Sequence, residues 1–205
     1  METALFVAWF EECARLVRAD RDRLTRLDAA IGDADHGTNL DRGFTEVLKA
    51  LADSAPGSEA EVLTTAGATL IRRVGGASGP LYGSLFRQMG KALESPVTLA
   101  AFAAAFEEGV VAVERLGKAA LGDKTMVDAL APASRALALA VRDGVGVRQA
   151  LDQAARAAAE GSKATIPMQA RKGRASYLGE RSIGHEDPGA ASATLIMAAL
   201  AGVAG

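Results

Sequence analysis

The sequence predicts an all-α protein, and three observations predict it. Apolar residues recur at helical spacing along most of the chain. Alternating, β-branched runs of the kind that form strands are almost absent. Gly, Asp, His and Ser are concentrated in four stretches between the periodic segments.

The elements follow in order. Trp9, Cys13, Leu16 and Val17 mark one face of a first helix over 3–18, with a second over 21–30 and a third over 39–52. Ser58 and Glu61 form a capping box ahead of Val62, Leu63, Ala66 and Leu70, which places a helix over 58–74. Helices are expected over 79–94, 97–116 and 125–142, and Pro132 should kink or restart the last of these. Val147, Ala150, Leu151, Ala154, Ala155 and Ala158 repeat at i, i+3, i+4, i+7 and i+8 in a helix over 147–161. Opposite them Arg148, Asp152 and Arg156 form a charged ladder at fourfold spacing. A further helix is expected over 189–203. These are about eight helices with another at the end, without internal repeat or long linker, so 1–205 reads as a single domain.

Composition narrows the function. Of 205 residues, 49% are hydrophobic and 23% charged, with a net charge of −2, which excludes wholesale disorder. No basic face of the kind nucleic acid requires is evident, although Lys163 to Arg181 holds five basic residues and one acidic. Aromatics at 4% argue against base-stacking platforms, so no nucleic-acid partner is expected. The single cysteine, Cys13, excludes an internal disulfide and fits a reducing compartment. The acidic N-terminal stretch does not read as a secretory signal. The longest uncharged stretch, Pro188 to Gly205, reads as a buried helix rather than a membrane span. A cytoplasmic protein without membrane contact is expected.

The four loops carry the candidate chemistry. In Asp28 to Asn39, Asp28, Asp33 and Asp35 bring three carboxylates within eight residues. Such a cluster is either solvated, paired with cations or bound to a hard divalent ion, and Mg²⁺ takes a few carboxylates together with phosphates. On the aspartates alone a solvated helix cap fits equally well. A calcium loop of the helix–loop–helix type does not fit, because the twelfth position from Asp33 is Phe44. In Gly75 to Gly83 the glycines precede an apolar helix, which suits either a phosphate cradle or close helix packing. This is neither a Walker loop nor a hydrolase elbow. In Lys172 to Gly189, about twenty residues without obvious structure, Arg171, Lys172, Arg174 and Arg181 could hold phosphate oxygens or form a solvated basic loop. Gly117 to Met126 completes the set. Carboxylates, a glycine-rich helix start and arginine together point to phosphoryl transfer.

Four motifs occur in order: Gly-Asp-Ala-Asp-His-Gly-Thr-Asn (32–39), Gly-Gly-Ala-Ser-Gly-Pro-Leu-Tyr-Gly (75–83), Gly-Asp-Lys-Thr-Met (122–126) and Lys-Gly-Arg-Ala-Ser-Tyr-Leu-Gly-Glu-Arg-Ser-Ile-Gly-His-Glu-Asp-Pro-Gly (172–189). In these the chain resembles the nucleotide-binding L subunits of dihydroxyacetone kinases over essentially its whole length. The resemblance implies a barrel of eight antiparallel helices with the nucleotide in the loops at one end. It implies that Asp28, Asp33 and Asp35 hold two magnesium ions bridging the phosphates of ADP or ATP. His36, Gly37, Thr38, Asn39, Ala77 and Ser78 would line those phosphates. Gly117 and Met126 match positions beside the adenine and ribose. Arg174 matches a phosphate-contacting, catalytic arginine, and Asp187, Pro188 and Gly189 close the site. Thr38 and Leu40 depart from the larger apolar residue and the Met of many relatives, which leaves the metal ligands untouched.

The resemblance also implies partners. Dihydroxyacetone would sit on a separate K subunit, held covalently by a histidine of that subunit. In the phosphoenolpyruvate-dependent branch a phosphohistidine subunit M rephosphorylates bound ADP; in the ATP-dependent branch the L module is usually fused to a K module. A chain of 205 residues favours the first branch. A homodimer is compatible with this reading. The alternatives are a kinase for another small ketose or a fatty-acyl substrate, and a nucleotide-sensing partner of a transcription regulator. The fatty-acid relatives lack a His beside the second Asp, so Asp35-His36 favours the triose branch.

Overall fold

Helix α1 runs unbroken from Thr3 to Ile31, where two helices were expected. The run Arg18 to Arg23 contains no Gly or Pro and, apart from Ala19, only charged residues, which pair along the helix. Arg23 Nη1 donates to Asp20 Oδ2 at 2.7 Å, one turn away. A solvated, self-paired face continues a helix that a breaker would end.

The computed structural model describes residues 1–204; Gly205, the last residue of the expected 1–205 domain, lies outside the described residues. After α1 come α2 (His36–Ser54), α3 (Glu59–Arg73), α4 (Ser78–Ala92), α5 (Leu99–Gly117), α6 (Val127–Arg142), α7 (Val147–Ala164) and α8 (Pro188–Val203). A short 3-10 segment, Arg174–Ser182, precedes α8, so the loop expected to lack structure is partly wound. No strand occurs among the described residues.

Pro132 neither breaks nor restarts α6, which is continuous across it. Proline removes the N–H that would bond to the Asp128 carbonyl. That carbonyl instead lies against Gly161 of α7, where a Cβ would collide with it. The neighbouring helix thus takes up the irregularity.

Each helix packs on the next, and α8 returns to α1, closing the eight into a ring. The interior is filled by one apolar cluster. At its heart Trp9 meets Phe86 edge-on, with centroids 5.5 Å apart, and Phe10 meets Phe86 at 4.9 Å. The indole Nε1 of Trp9 donates to the Ile196 carbonyl of α8 at 2.9 Å, pinning the seam between first and last helices. The α3–α4 pair approaches closely because Gly67 and Gly83 face each other: a Cβ on either would lie 2.7 Å from the other's carbonyl oxygen.

The up-and-down order sorts the connections. Those after α1, α3, α5 and α7 share one end of the barrel; those after α2, α4 and α6 share the other. The first set coincides with the four loops rich in Gly, Asp, His and Ser.

Candidate functional site

The first loop is built by Asp28, the residue three places before the end of α1. Its Oδ2 accepts the backbone N–H groups of Asp35 at 2.9 Å and His36 at 3.1 Å. These are orphan donors at the start of α2, and a side chain from the preceding helix caps them. This explains why α2 begins at His36 rather than at the expected residue 39. The turn is tight: Ala34 sits at φ 62, a conformation unfavourable by roughly 1–2 kcal/mol for a residue with a Cβ. At Gly32 a Cβ would strike the Asp28 carboxylate, so a larger residue there would displace the group that caps α2.

The folded turn brings Asp28, Asp33 and Asp35 together, with one carboxylate oxygen of each within 4.8 Å of the others. Asp28 is buried and Asp33 exposed. Arg174 reaches across from the 3-10 segment, its Nη2 3.0 Å from Asp33 Oδ2. Three hard oxygen donors at this spacing suit Mg²⁺, and their open side faces a cavity that can admit further oxygen ligands.

The second loop supplies the facing wall. Both readings of its glycines apply, at different residues. Gly76, at φ +68 with nothing near its missing Cβ, makes the turn; Gly79 and Gly83 make close packing, against the Leu70 and Gly67 carbonyls. The N-terminus of α4 opens on this wall, with Ala77 as its cap residue and Ser78 at its first position. No side chain caps it, so its N–H groups are free for an anion.

His36 joins the two walls. Its Nδ1 lies 3.0 Å from Ser78 Oγ and its Nε2 2.9 Å from Ser192 Oγ of α8. Burial holds its pKa below the ordinary histidine value, against the opposing pull of Asp28, so the ring is neutral at neutral pH.

Two residues that sequence reasoning passed over shape the third loop and lock it to the fourth. Lys124 is 1% exposed. Its ammonium donates to the carbonyls of Thr165 at 2.7 Å, Met168 at 3.1 Å and His185 at 2.5 Å. Burial lowers its pKa, while Asp187 and Asp128 favour its charge. Asp128 accepts the N–H groups of Gly122 at 2.6 Å and Thr125 at 2.8 Å, shaping the third loop. Lys124 stands inside a quoted motif, yet nothing local marks it, because its partners lie 41 to 61 residues away. At the start of α8, Asp187 accepts the Ala190 N–H at 2.7 Å. Burial pushes its carboxyl up to about 7.

One cavity gathers most of the residues singled out from sequence. Asp28, Asp33, Asp35 and His36 line one side, Ala77 and Ser78 another. Gly117 and Met126 stand toward the third loop, and Arg174, Asp187, Pro188 and Gly189 toward the fourth. Gly37, Thr38 and Asn39 do not line it. Gly37 packs on the Arg21 carbonyl of α1, Thr38 is exposed, and buried Asn39 accepts from Arg42 at 2.8 Å behind Gly75. Tyr82, Lys124 and Thr125, not singled out from sequence, do line it. Among the described residues no buried side-chain nitrogen or oxygen lacks a hydrogen-bond partner, and no helix is long and apolar enough to cross a membrane.

Comparison with known proteins agrees with this geometry. The family model described as the DAK2 domain matches residues 30–202. The chain is 43% identical over 197 residues to the ADP-binding subunit DhaL of the PEP-dependent dihydroxyacetone kinase of Escherichia coli K12, covering 95% of this chain and 94% of that one. It is 40% identical over 193 residues to the corresponding subunit of kinase 1 of Listeria innocua, covering 94% and 92%. The crystal structure of the C. freundii dihydroxyacetone kinase in complex with AMP-PNP and Mg²⁺ superposes with a TM-score of 0.76 at 26% identity. That match covers 97% of this chain and 34% of that longer one. The resemblance read from the four motifs and the eight-helix fold therefore stand, and the chain belongs to the Dak2 domain family of dihydroxyacetone kinase subunits.

Proposed function

We propose that this chain is the ADP- and ATP-carrying subunit of a phosphoenolpyruvate-dependent dihydroxyacetone kinase. It passes a phosphoryl group from Mg-bound nucleotide to dihydroxyacetone held on a separate K subunit, and a phosphohistidine M subunit recharges the bound ADP. The observation that carries this reading is the triad of aspartate oxygens within 4.8 Å, set across one cavity from the uncapped N-terminus of α4. Relatives of nearly equal length are PEP-dependent, ADP-binding subunits, which supports the choice of branch.

Asp28, Asp33 and Asp35 would hold two magnesium ions, which neutralise phosphate charge and draw the phosphates into line. Asp28 and the turn it caps fix the other two carboxylates. The α4 N–H groups and Ser78 receive phosphate oxygens. Arg174, whose guanidinium already reaches the aspartates, stabilises charge on the group in transit and does so with a rigid two-pronged fork. Gly117 and Met126 flank the base and ribose, and Asp187 to Gly189 close the site at α8.

The acceptor, held by the K subunit, is presented at the open rim of the cavity. The test mixes this chain, ATP and dihydroxyacetone with and without a K subunit. Activity is expected only with the K subunit; full activity without it overturns the assignment. Recharging is tested by adding a phosphorylated M subunit to the ADP-bound chain, with ATP formed in place as the expected product.

A further inference from the structure

The rim around the cavity carries exposed apolar and basic side chains that no step of phosphoryl transfer uses. Eight large hydrophobic side chains are exposed among the described residues. Six of them lie on the four loops or on the helix ends beside them, and only Leu139 and Val147 lie toward the far end. The most exposed is Tyr177, at 88%, in the 3-10 segment of the fourth loop. It does not line the cavity, and neither does exposed Ile183 on the same loop.

Charge concentrates at the same place. Residues 171–181 hold four cations and one anion, in a chain whose net charge is −2. Lys172 and Arg174 line the cavity. Arg171 and Arg181 stand outside it, exposed and without an ion pair among the described residues. An exposed tyrosine among free arginines has the composition of a protein-binding hot spot.

The segment that carries Tyr177 is held in place. Ala175 packs with Ile31 and Ala170 in an apolar cluster of their own, with Leu178 against it. Ser182 Oγ accepts the Ala170 N–H at 2.9 Å and donates to the Gly179 carbonyl at 2.6 Å. A side chain on a fixed backbone loses less freedom when a partner covers it. Arg174 and Tyr177 are three residues apart, before the kink at Gly179, and so share a face of the 3-10 turn about 6 Å apart along its axis. Since Arg174 reaches Asp33, Tyr177 stands one turn from the reacting centre.

We propose that Tyr177, flanked by Arg171, Arg181 and Ile183, is the docking anchor for the acceptor-bearing K subunit, which meets it with an apolar socket rimmed by carboxylates. This rests on the kinase-subunit reading. A small ligand does not suit these side chains, because they stand outside the cavity. A second copy of this chain does not suit them either, because a two-fold contact would set one basic loop against another.

The test measures association of the full chain, loaded with MgADP, with a K subunit by biolayer interferometry, and MgADP affinity by calorimetry. Tyr177→Ala should weaken association by about 30-fold or more, with MgADP affinity and melting temperature unchanged. Tyr177→Phe, which keeps the ring, should retain most of the affinity. The double variant Arg171→Glu and Arg181→Glu should slow association by about 10-fold at low salt, and the difference should shrink at high salt. Leu139→Ser, at the far end, should change nothing.

Unchanged association in Tyr177→Ala overturns the proposal, as does an equal loss in Leu139→Ser. A loss confined to recharging by a phosphorylated M subunit overturns it too, and gives the surface to the phosphate donor. Lost MgADP affinity in Tyr177→Ala would place the ring at the nucleotide instead. If the wild-type chain does not associate with the K subunit, the subunit reading itself falls and takes this one with it.

Discussion

The two ends of the barrel are joined by different chemistry. At the end that carries the connections after α2, α4 and α6, caps are local. Ser58 Oγ accepts the Glu61 N–H at 3.3 Å and Thr98 Oγ1 the Ala101 N–H at 3.1 Å, each three residues on. Glu61 reaches back to the Gly57 N–H at 2.7 Å, one residue short of a full capping box. At the other end local caps such as Asp187 on the Ala190 N–H are joined by remote partners: Asp28 caps the next helix, Lys124 ties three loop carbonyls, and His36 bridges to α8. A local cap restrains one helix terminus. A remote one makes four loops a single object, which is what a site with ligands on every loop requires.

Substitutions at four positions sharpen the contrast. Arg174→Ala should lower turnover with the K subunit by about 10³-fold or more, with little change in melting temperature, because the side chain is 69% exposed and its ion pair is screened. Arg174→Lys should rescue poorly, since it loses the fork. Near-normal turnover would remove Arg174 from catalysis.

Lys124→Met keeps the stem but withdraws the donor from three carbonyls at once. Unmade buried bonds cost about 1–3 kcal/mol each, so a loss of about 3 kcal/mol is expected in urea unfolding, with hydrogen exchange rising on both loops together. Exchange confined to one loop would mean that the ammonium does not couple them.

Asp187 adds a pH signature. Its folded pKa, about 7, lies above the ordinary carboxyl value, so the folded state holds its proton more tightly than the unfolded one. Its contribution is fully present below about pH 4 and is lost as pH rises toward 7. Asp187→Asn retains an oxygen for the Ala190 N–H but has no proton to lose. The stability profile of the variant between pH 4 and 7 should be flatter than wild type by up to about 1.4 kcal/mol per pH unit. Parallel profiles would refute the assignment.

The smallest effect belongs to the far end. Ser58→Ala should cost about 1 kcal/mol by loss of a cap and leave MgADP affinity untouched. A change in affinity would show that the two ends communicate.

The same contrast explains what the sequence discloses. Helices α3 to α8 are legible from apolar spacing, and Ser58 from its capping pattern, because their causes lie within a turn. The break expected near residue 20 was a run of charge that pairs along the helix. The true start of α2 depends on a carboxylate eight residues upstream of His36. Within the site the aspartates, Ser78 and Arg174 stand in recognisable motifs. Lys124 and Tyr82 stand in the same motifs, and Asp128 and Ser192 just beyond them. Their hydrogen bonds span 41, 110 and 156 residues for Lys124, Tyr82 and Ser192, where no local period can register them.

The bond from Trp9 to Ile196 has a consequence for how the barrel assembles. Seven of the eight seams join helices adjacent in the chain and can form as hairpins. The eighth links residues 187 apart and carries the loop-closure entropy of nearly the whole polypeptide. It should close late in folding. The only tryptophan of the chain sits on that seam, fully buried. Its emission in a stopped-flow refolding trace should therefore lag the recovery of helical circular dichroism, timing the moment at which a row of hairpins becomes a ring.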